Sequence, residues 1–186
     1  MSKLAVFDLN GTLIGSTRAD GFVFSLDHWF PMPGCTHVLR AMVERGWMLA
    51  VATNQSAHHH EEFMVNRTAM KALMEDIEEY LCEAAGAPIH FEVSWDAPGV
   101  GGSSRKPAPD LILRAMSACG GWPEHLAVIG DKRSDMVAGY AAGASVLVLV
   151  GQSHSERLSG FAVPAFHVCD LRGVLDLLPT FRLLHL

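Results

Sequence analysis

Leu4 to Phe7 form an unbroken apolar run, and Asp8 ends it. A run without alternation suits a strand buried on both faces of a parallel sheet. Gly11 follows where the chain must turn. A carboxylate at the carboxyl end of such a strand sits where open α/β sheets keep their ligands. Alone, the pattern is more often an ordinary strand and turn. The rest of the chain decides against that reading.

Further strands are predicted over Trp47 to Ala52, Ile89 to Trp95, Leu126 to Ile129 and Ser145 to Val150. Between them lie helical patterns. Val38, Leu39, Met42 and Val43 recur at helical spacing within Cys35 to Arg45, before Gly46. A long helical pattern ends near Gly86, and Arg105-Lys106-Pro107 opens another with Leu111, Ile112, Ala115 and Met116 on one face. A small-residue helix runs through Ala138, Ala141 and Ala142, and the tail adds a short strand and a helix from Leu171 to Leu178. Strands alternating with helices predict a three-layer, Rossmann-like α/β fold. Its parallel sheet would have about five or six strands, with helices on both faces. Residues 1–186 are expected to form a single domain, and residues 15–33, rich in aromatics, to fold over the sheet as a flap-like insert.

Composition narrows the partners. Lys and Arg number 14 against 20 acids, a net charge of -6, which argues against broad nucleic-acid binding. Cys35, Cys82, Cys119 and Cys169 are too scattered for a disulfide frame or a zinc site and read as reduced thiols. No apolar stretch crosses a bilayer uninterrupted, and Asp8 comes too early for a signal peptide, so a soluble, cytoplasmic protein is expected.

Asp8, Thr53-Asn54, Arg105-Lys106 and Asp131 with Asp135 all fall just after apolar strands or at helix starts. In a parallel sheet the strand carboxyl ends share one edge, so these groups can converge. Acids meeting a lysine and a hydroxyl suggest a divalent cation and a phosphate. His58, His59 and His60 diverge in direction as neighbours in a loop and are expected near the mouth rather than as metal ligands.

With these residues in view, the sequence resembles the haloacid dehalogenase superfamily of phosphotransferases. The resemblance rests on Asp8-Leu9-Asn10-Gly11-Thr12-Leu13, Thr53, Lys106-Pro107 and Gly130-Asp131-Lys132-Arg133-Ser134-Asp135, in order from residue 4 to about residue 150. It implies Asp8 as nucleophile through an aspartyl-phosphate, and Mg2+ held by Asp8, Asp131 and the carbonyl of Asn10. Thr53 and the Asn54 amide would hold phosphoryl oxygens, and Lys106 would offset the charge shared by Asp8 and the phosphate. Asp135 would orient Lys106 or a metal-bound water. Phosphatases of this superfamily carry Asp where this chain has Asn10, and that Asp moves the proton to the leaving oxygen. Asn10 can neither donate nor accept a proton at neutral pH, so activity is expected to be reduced.

Neither the insert nor the stretch from Asn54 to Arg105 has room for a large cap domain. The blocks Ala52-Thr53-Asn54-Gln55-Ser56 and Arg105-Lys106-Pro107-Ala108-Pro109 resemble the histidinol-phosphatase and heptose-bisphosphate phosphatase branch, where Arg105 would add a second cation for the substrate. That branch carries a Cys/His zinc loop before its Arg-Lys-Pro, but Asp96 to Ser104 has neither residue type, so zinc is not expected. The expected partner is a small sugar or nucleotide phosphate. A second resemblance, to the 3'-phosphatase domain of polynucleotide kinases, rests on the Thr-Asn-Gln block, Phe24 and Asp27-His28-Trp29. It implies a 3'-phosphorylated nucleic-acid end as the alternative, with Trp29, Phe22 or Phe30 stacking a base unless these rings simply pack the insert. A third possibility is a phosphate-binding pseudoenzyme.

Overall fold

The computed structural model describes residues 2–60, 65–100, 102, 104–151 and 158–182. Its frame is a six-stranded parallel sheet. In chain order the strands are β1 (Lys3–Phe7), β4 (Met48–Asn54), β5 (Ile89–Ser94), β6 (His125–Gly130), β7 (Val146–Val150) and β8 (Ala165–Val168). In space the order is β5-β4-β1-β6-β7-β8. The order reverses at β1, which pairs with β4 on one side (Phe7 beside Val51) and β6 on the other (Phe7 beside Ile129). A crevice therefore opens beyond the carboxyl ends of these three strands.

The strand alternation divides the core in two. Ala5 and Phe7 face one layer, with α1 (Cys35–Glu44), α2 (Arg67–Ala85) and α5 (Arg172–Leu177); Leu4 and Val6 face the other, with α3 (Asp110–Ala118) and α4 (Arg133–Ala141). Each such fully buried large side chain contributes roughly 1.5–3 kcal/mol. α4 comes close to the sheet at Gly139, where a Cβ would lie 2.8 Å from Val128 Cβ and 2.9 Å from Leu147 Cδ2, so this position has no room for a side chain.

The predicted α/β fold and its elements are present, with shifts at the ends. β4 extends through Thr53 and Asn54, carrying both to the sheet edge. α3 starts at Asp110 rather than at Arg105. Pro107 and Pro109 bias Lys106 and Ala108 away from helical angles, and the Lys106–Pro107 peptide is cis. The insert also carries regular structure that its composition did not reveal. β2 (Ile14–Ser16) pairs antiparallel with β3 (Trp29–Pro31), so the insert leaves and returns as a ribbon. Val23 is buried in the core, and Trp29 meets Tyr80 of α2 edge-on with ring centroids 5.1 Å apart. Trp29 thus packs the insert, as the packing alternative anticipated. Among the described residues no helix is long and apolar enough to cross a membrane.

Candidate active site

The crevice above β1, β4 and β6 gathers the acids and the lysine. Asp8 follows β1 and is anchored by its own N–H, which donates to the Ile129 carbonyl of β6 at 2.8 Å. Lys106 arrives from the turn before α3, with only 6% of its surface exposed. Its Nζ reaches Asp8 Oδ1 at 2.5 Å, Asp135 Oδ1 at 2.6 Å and the Ala52 carbonyl at 2.6 Å. An ammonium has three donors, and here each has an acceptor. The second oxygen of Asp135 accepts the backbone N–H of Lys132 at 2.9 Å, which fixes the acid at the first turn of α4. Of the two roles expected for Asp135, orienting Lys106 is the one this geometry supports.

Burial pushes the carboxyls of Asp8, Asp131 and Asp135 above the usual carboxylate range. For Lys106 burial works downward, but Asp135 and Asp8 outweigh it, so the ammonium is held charged and its pKa lies above the ordinary lysine value. Oxygens of Asp8, Asp131 and Asp135 lie within 4.8 Å of one another. Lys132 Nζ adds a second cation 3.5 Å from Asp131 Oδ2, so three carboxylates against two lysines leave one negative charge in excess, and an all-oxygen donor set suits a hard divalent cation. Both Asp135 oxygens are already engaged, by Lys106 and the Lys132 N–H, so Asp8 and Asp131 are the pair that could hold such an ion. Gly11 makes room for the Asp131 carboxylate. With φ +89°, its backbone passes so near that a Cβ would lie 2.5 Å from Asp131 Oδ2.

Residues at the end of β4 line the crevice. Thr53, nearly buried, accepts at Oγ1 from Gln55 Nε2 at 3.0 Å, and the same nitrogen donates to Asn10 Oδ1 at 3.3 Å. The Asn54 carboxamide turns to Lys106 instead: Nδ2 donates to the Lys106 carbonyl and Oδ1 accepts the Lys106 N–H, both at 3.0 Å. Its side chain positions the lysine, a use that spacing did not suggest. A cleft of about 540 Å3 lies above, lined by Asn10, Asn54, Gln55, Arg105, Lys106 and Lys132, with Asp20 to Phe22 of the insert as its far wall. Phe22 contacts His60 with ring centroids 5.0 Å apart, joining the insert to the loop after β4. His59 Nε2 bonds the Trp95 carbonyl at 2.8 Å, and His58 lies tilted against His59 and meets Trp95 edge-on. Sequence reasoning brought every acid, Thr53, Arg105 and Lys106 to one place. It did not single out Gln55 or Lys132, whose only signals were polarity inside the Thr-Asn-Gln-Ser block and position beside Asp131; of the wall residues it singled out Phe22 alone, as a ring to stack a base.

Comparison with known proteins agrees with this arrangement. A family model described as HAD-hydrolase-like matches residues 103–173. The D-glycero-beta-D-manno-heptose-1,7-bisphosphate 7-phosphatase of Neisseria meningitidis serogroup A is 31% identical over 155 residues, 81% of this chain and 79% of that protein. The chain belongs to the haloacid dehalogenase superfamily. The enzyme of the same name from Pseudomonas putida is 28% identical over 169 residues, 87% of this chain and 90% of the relative. In structure, the heptose 1,7-bisphosphate phosphatase of B. bronchiseptica, crystallised with magnesium and phosphate, superposes with a TM-score of 0.77. The match covers 96% of this chain and 98% of that one at 22% identity, which establishes the shared haloacid dehalogenase fold. The fold is thus the three-layer one expected of the superfamily, and the described residues include no large cap domain.

Proposed function

We propose that this chain is a Mg2+-dependent phosphatase that hydrolyses the phosphomonoester of a small sugar through an aspartyl-phosphate on Asp8, working in the cytoplasm. The observation that carries the proposal is Lys106, bonded at once to Asp8 and Asp135 with Asp131 alongside. Desolvating a lysine and two acids is costly, so such a buried cluster in a cleft is poorly explained by stability and points to a functional site. Relatives named as heptose-bisphosphate phosphatases make that sugar the first substrate to test. Asp8, Asp131 and the Asn10 carbonyl would hold the Mg2+. Bound there, the ion would offset charge on the phosphoryl oxygens.

An Asp8 carboxylate oxygen attacks phosphorus, an acyl-phosphate bond forms, and the bond to the sugar oxygen breaks. Lys106 favours the ionised form of Asp8 against its burial and holds it in place while charge builds on the transferring group. The Thr53 hydroxyl and the backbone around Asn54 offer hydrogen bonds to the phosphoryl oxygens. The departing sugar oxygen needs a proton, and a water must later lose one to attack the acyl-phosphate and release phosphate. Asn10 can serve neither transfer, so both rely on solvent and run slowly.

The test is Mg2+-dependent phosphate release from an aryl phosphate and from heptose 1,7-bisphosphate, by this protein and by Asn10→Asp. Turnover that rises in the Asp form supports the reading. If both forms bind Mg2+ and phosphate but neither turns over, the chain is a phosphate binder instead.

A further inference from the structure

We infer that Asp96 is a positioning residue, whose carboxylate pins the base of the loop between β5 and α3 so that Arg105 can hold a second anionic group of the substrate. This rests on the phosphatase reading above and extends it to substrates carrying two phosphates.

The chain leaves the sheet at Ser94, the last residue of β5, and passes beside it again at Ser104. One atom ties the two ends. Asp96 Oδ2 accepts the Ser104 N–H at 3.1 Å, the Ser104 hydroxyl at 3.3 Å and the Ser94 hydroxyl at 3.3 Å. The hydroxyls of Ser94 and Ser104 lie 3.4 Å apart, and Ser94 is buried. A carboxylate that accepts several hydrogen bonds is a strong fastening. The stretch from Asp96 to Ser104 contains no Cys or His, so this fastening needs no thiolate or imidazole metal ligand. Gly101 and Ser103 lie outside the described residues.

The next two residues are fastened as well. Arg105 Nη1 donates to the Asp96 carbonyl at 2.8 Å, and Lys106 is held through its backbone by Asn54. Residues 104, 105 and 106 thus meet fixed points in succession, two of them on Asp96. Arg105 lines the main cleft beside Lys106, and it also lines an adjoining cleft of about 460 Å3 with Pro98, Gly99, Val100 and Gly102. A guanidinium between two clefts suits a ligand that reaches from the acid site into the second one, and its planar fork matches a phosphate. Half-burial costs a cation hydration unless backbone acceptors restore its hydrogen bonds, which is the part the Asp96 carbonyl plays.

The experiment compares the parent protein with Asp96→Ala, Asp96→Asn, Arg105→Ala and the double Asp96→Ala/Arg105→Ala, using heptose 1,7-bisphosphate and an aryl monophosphate with Mg2+. Asp96→Ala is expected to raise KM for the bisphosphate about tenfold more than KM for the aryl ester, the size of one lost bond to a charged group, with the kcat values little changed. Asp96→Asn, whose Oδ1 can still accept the Ser104 N–H, should recover part of that loss. The double variant should be no worse than Arg105→Ala. Equal losses on both esters, or additive losses in the double variant, would overturn the inference. If no form turns over either ester, the phosphatase reading fails. The calorimetric Kd of the bisphosphate relative to inorganic phosphate, on the same proteins, then decides the role of Asp96 by the same ratio.

Discussion

Gln55 Nε2 donates to Asn10 Oδ1 at 3.3 Å while also bonding Thr53 Oγ1. The Asn10 carboxamide is therefore held with its oxygen toward Gln55, which directs its NH2 elsewhere. An aspartate at position 10 would keep the same acceptor for Gln55 and place its other oxygen where the NH2 now lies. The substitution Asn10→Asp is isosteric and restores a group able to give and take a proton. Turnover of an aryl phosphate should rise by about a hundred- to ten-thousandfold, the usual yield of a placed acid-base group. Steady-state phosphate release checks it. An unchanged rate would mean that the proton already has another carrier.

Lys106 supplies the second prediction. Replacing it with methionine keeps the length of the side chain but leaves Asp8 and Asp135 close together, buried and without their shared cation. Breaking a buried ion pair from one side costs roughly 3–5 kcal/mol. Protonation of the two acids would return part of this. Lys106→Met should therefore unfold at a lower temperature than the parent, and the gap should narrow from pH 8 to pH 5, as thermal melts would record. Phosphatase activity should be lost at every pH. A gap independent of pH would contradict the charge argument.

The strands, helices and acids were legible because they obey local rules. An apolar run reads as a buried strand, Asp8 and Asp131 stand just past such runs, and Lys106 precedes a helical pattern, whatever packs around them. What escaped depends on register. Ile14–Ser16 looks like loop until it lies beside Trp29–Pro31. Nothing in the sequence signals that the carboxamide of Asn54 bonds the backbone of Lys106, 52 residues away. Gln55 and Asp96 are single polar residues whose roles rest on partners that are close only once the sheet has formed. Residue type announces a charge, but not the neighbour that will fix it.

Gly11 is a direct test of the metal pair. Its φ of +89° is one that alanine enters only with strain, about 1–2 kcal/mol, and the added methyl would press on Asp131 Oδ2 from 2.5 Å. Gly11→Ala should displace Asp131 from Asp8 and weaken Mg2+ binding by roughly tenfold or more, the scale seen when a ligand loses its orientation. Calorimetric titration with Mg2+ would measure this. Retained affinity would show that Asp131 is not needed to hold the ion.

Mg2+ and pH should act on stability through the same carboxylates. Burial first, then mutual repulsion, raises Asp8, Asp131 and Asp135 above the ordinary carboxylate range in the folded protein. The native state then holds protons that the unfolded chain has released, so stability falls as pH climbs from the ordinary carboxylate range through the raised values. Lys106 stays charged throughout that window, because its own shift is upward from an already high value, and it adds no slope there. A cation held by Asp8 and Asp131 relieves the repulsion and competes with the same protons, so its benefit grows as they leave. At a hundredfold excess over its Kd, Mg2+ stabilises by about 2.7 kcal/mol, or roughly 5–10 °C in Tm for a chain of this size. That increment should be present at pH 8, shrink towards pH 5, vanish with a chelator, and be absent in Asp131→Ala. A Tm shift of equal size at both pH values would place the ion away from these carboxylates.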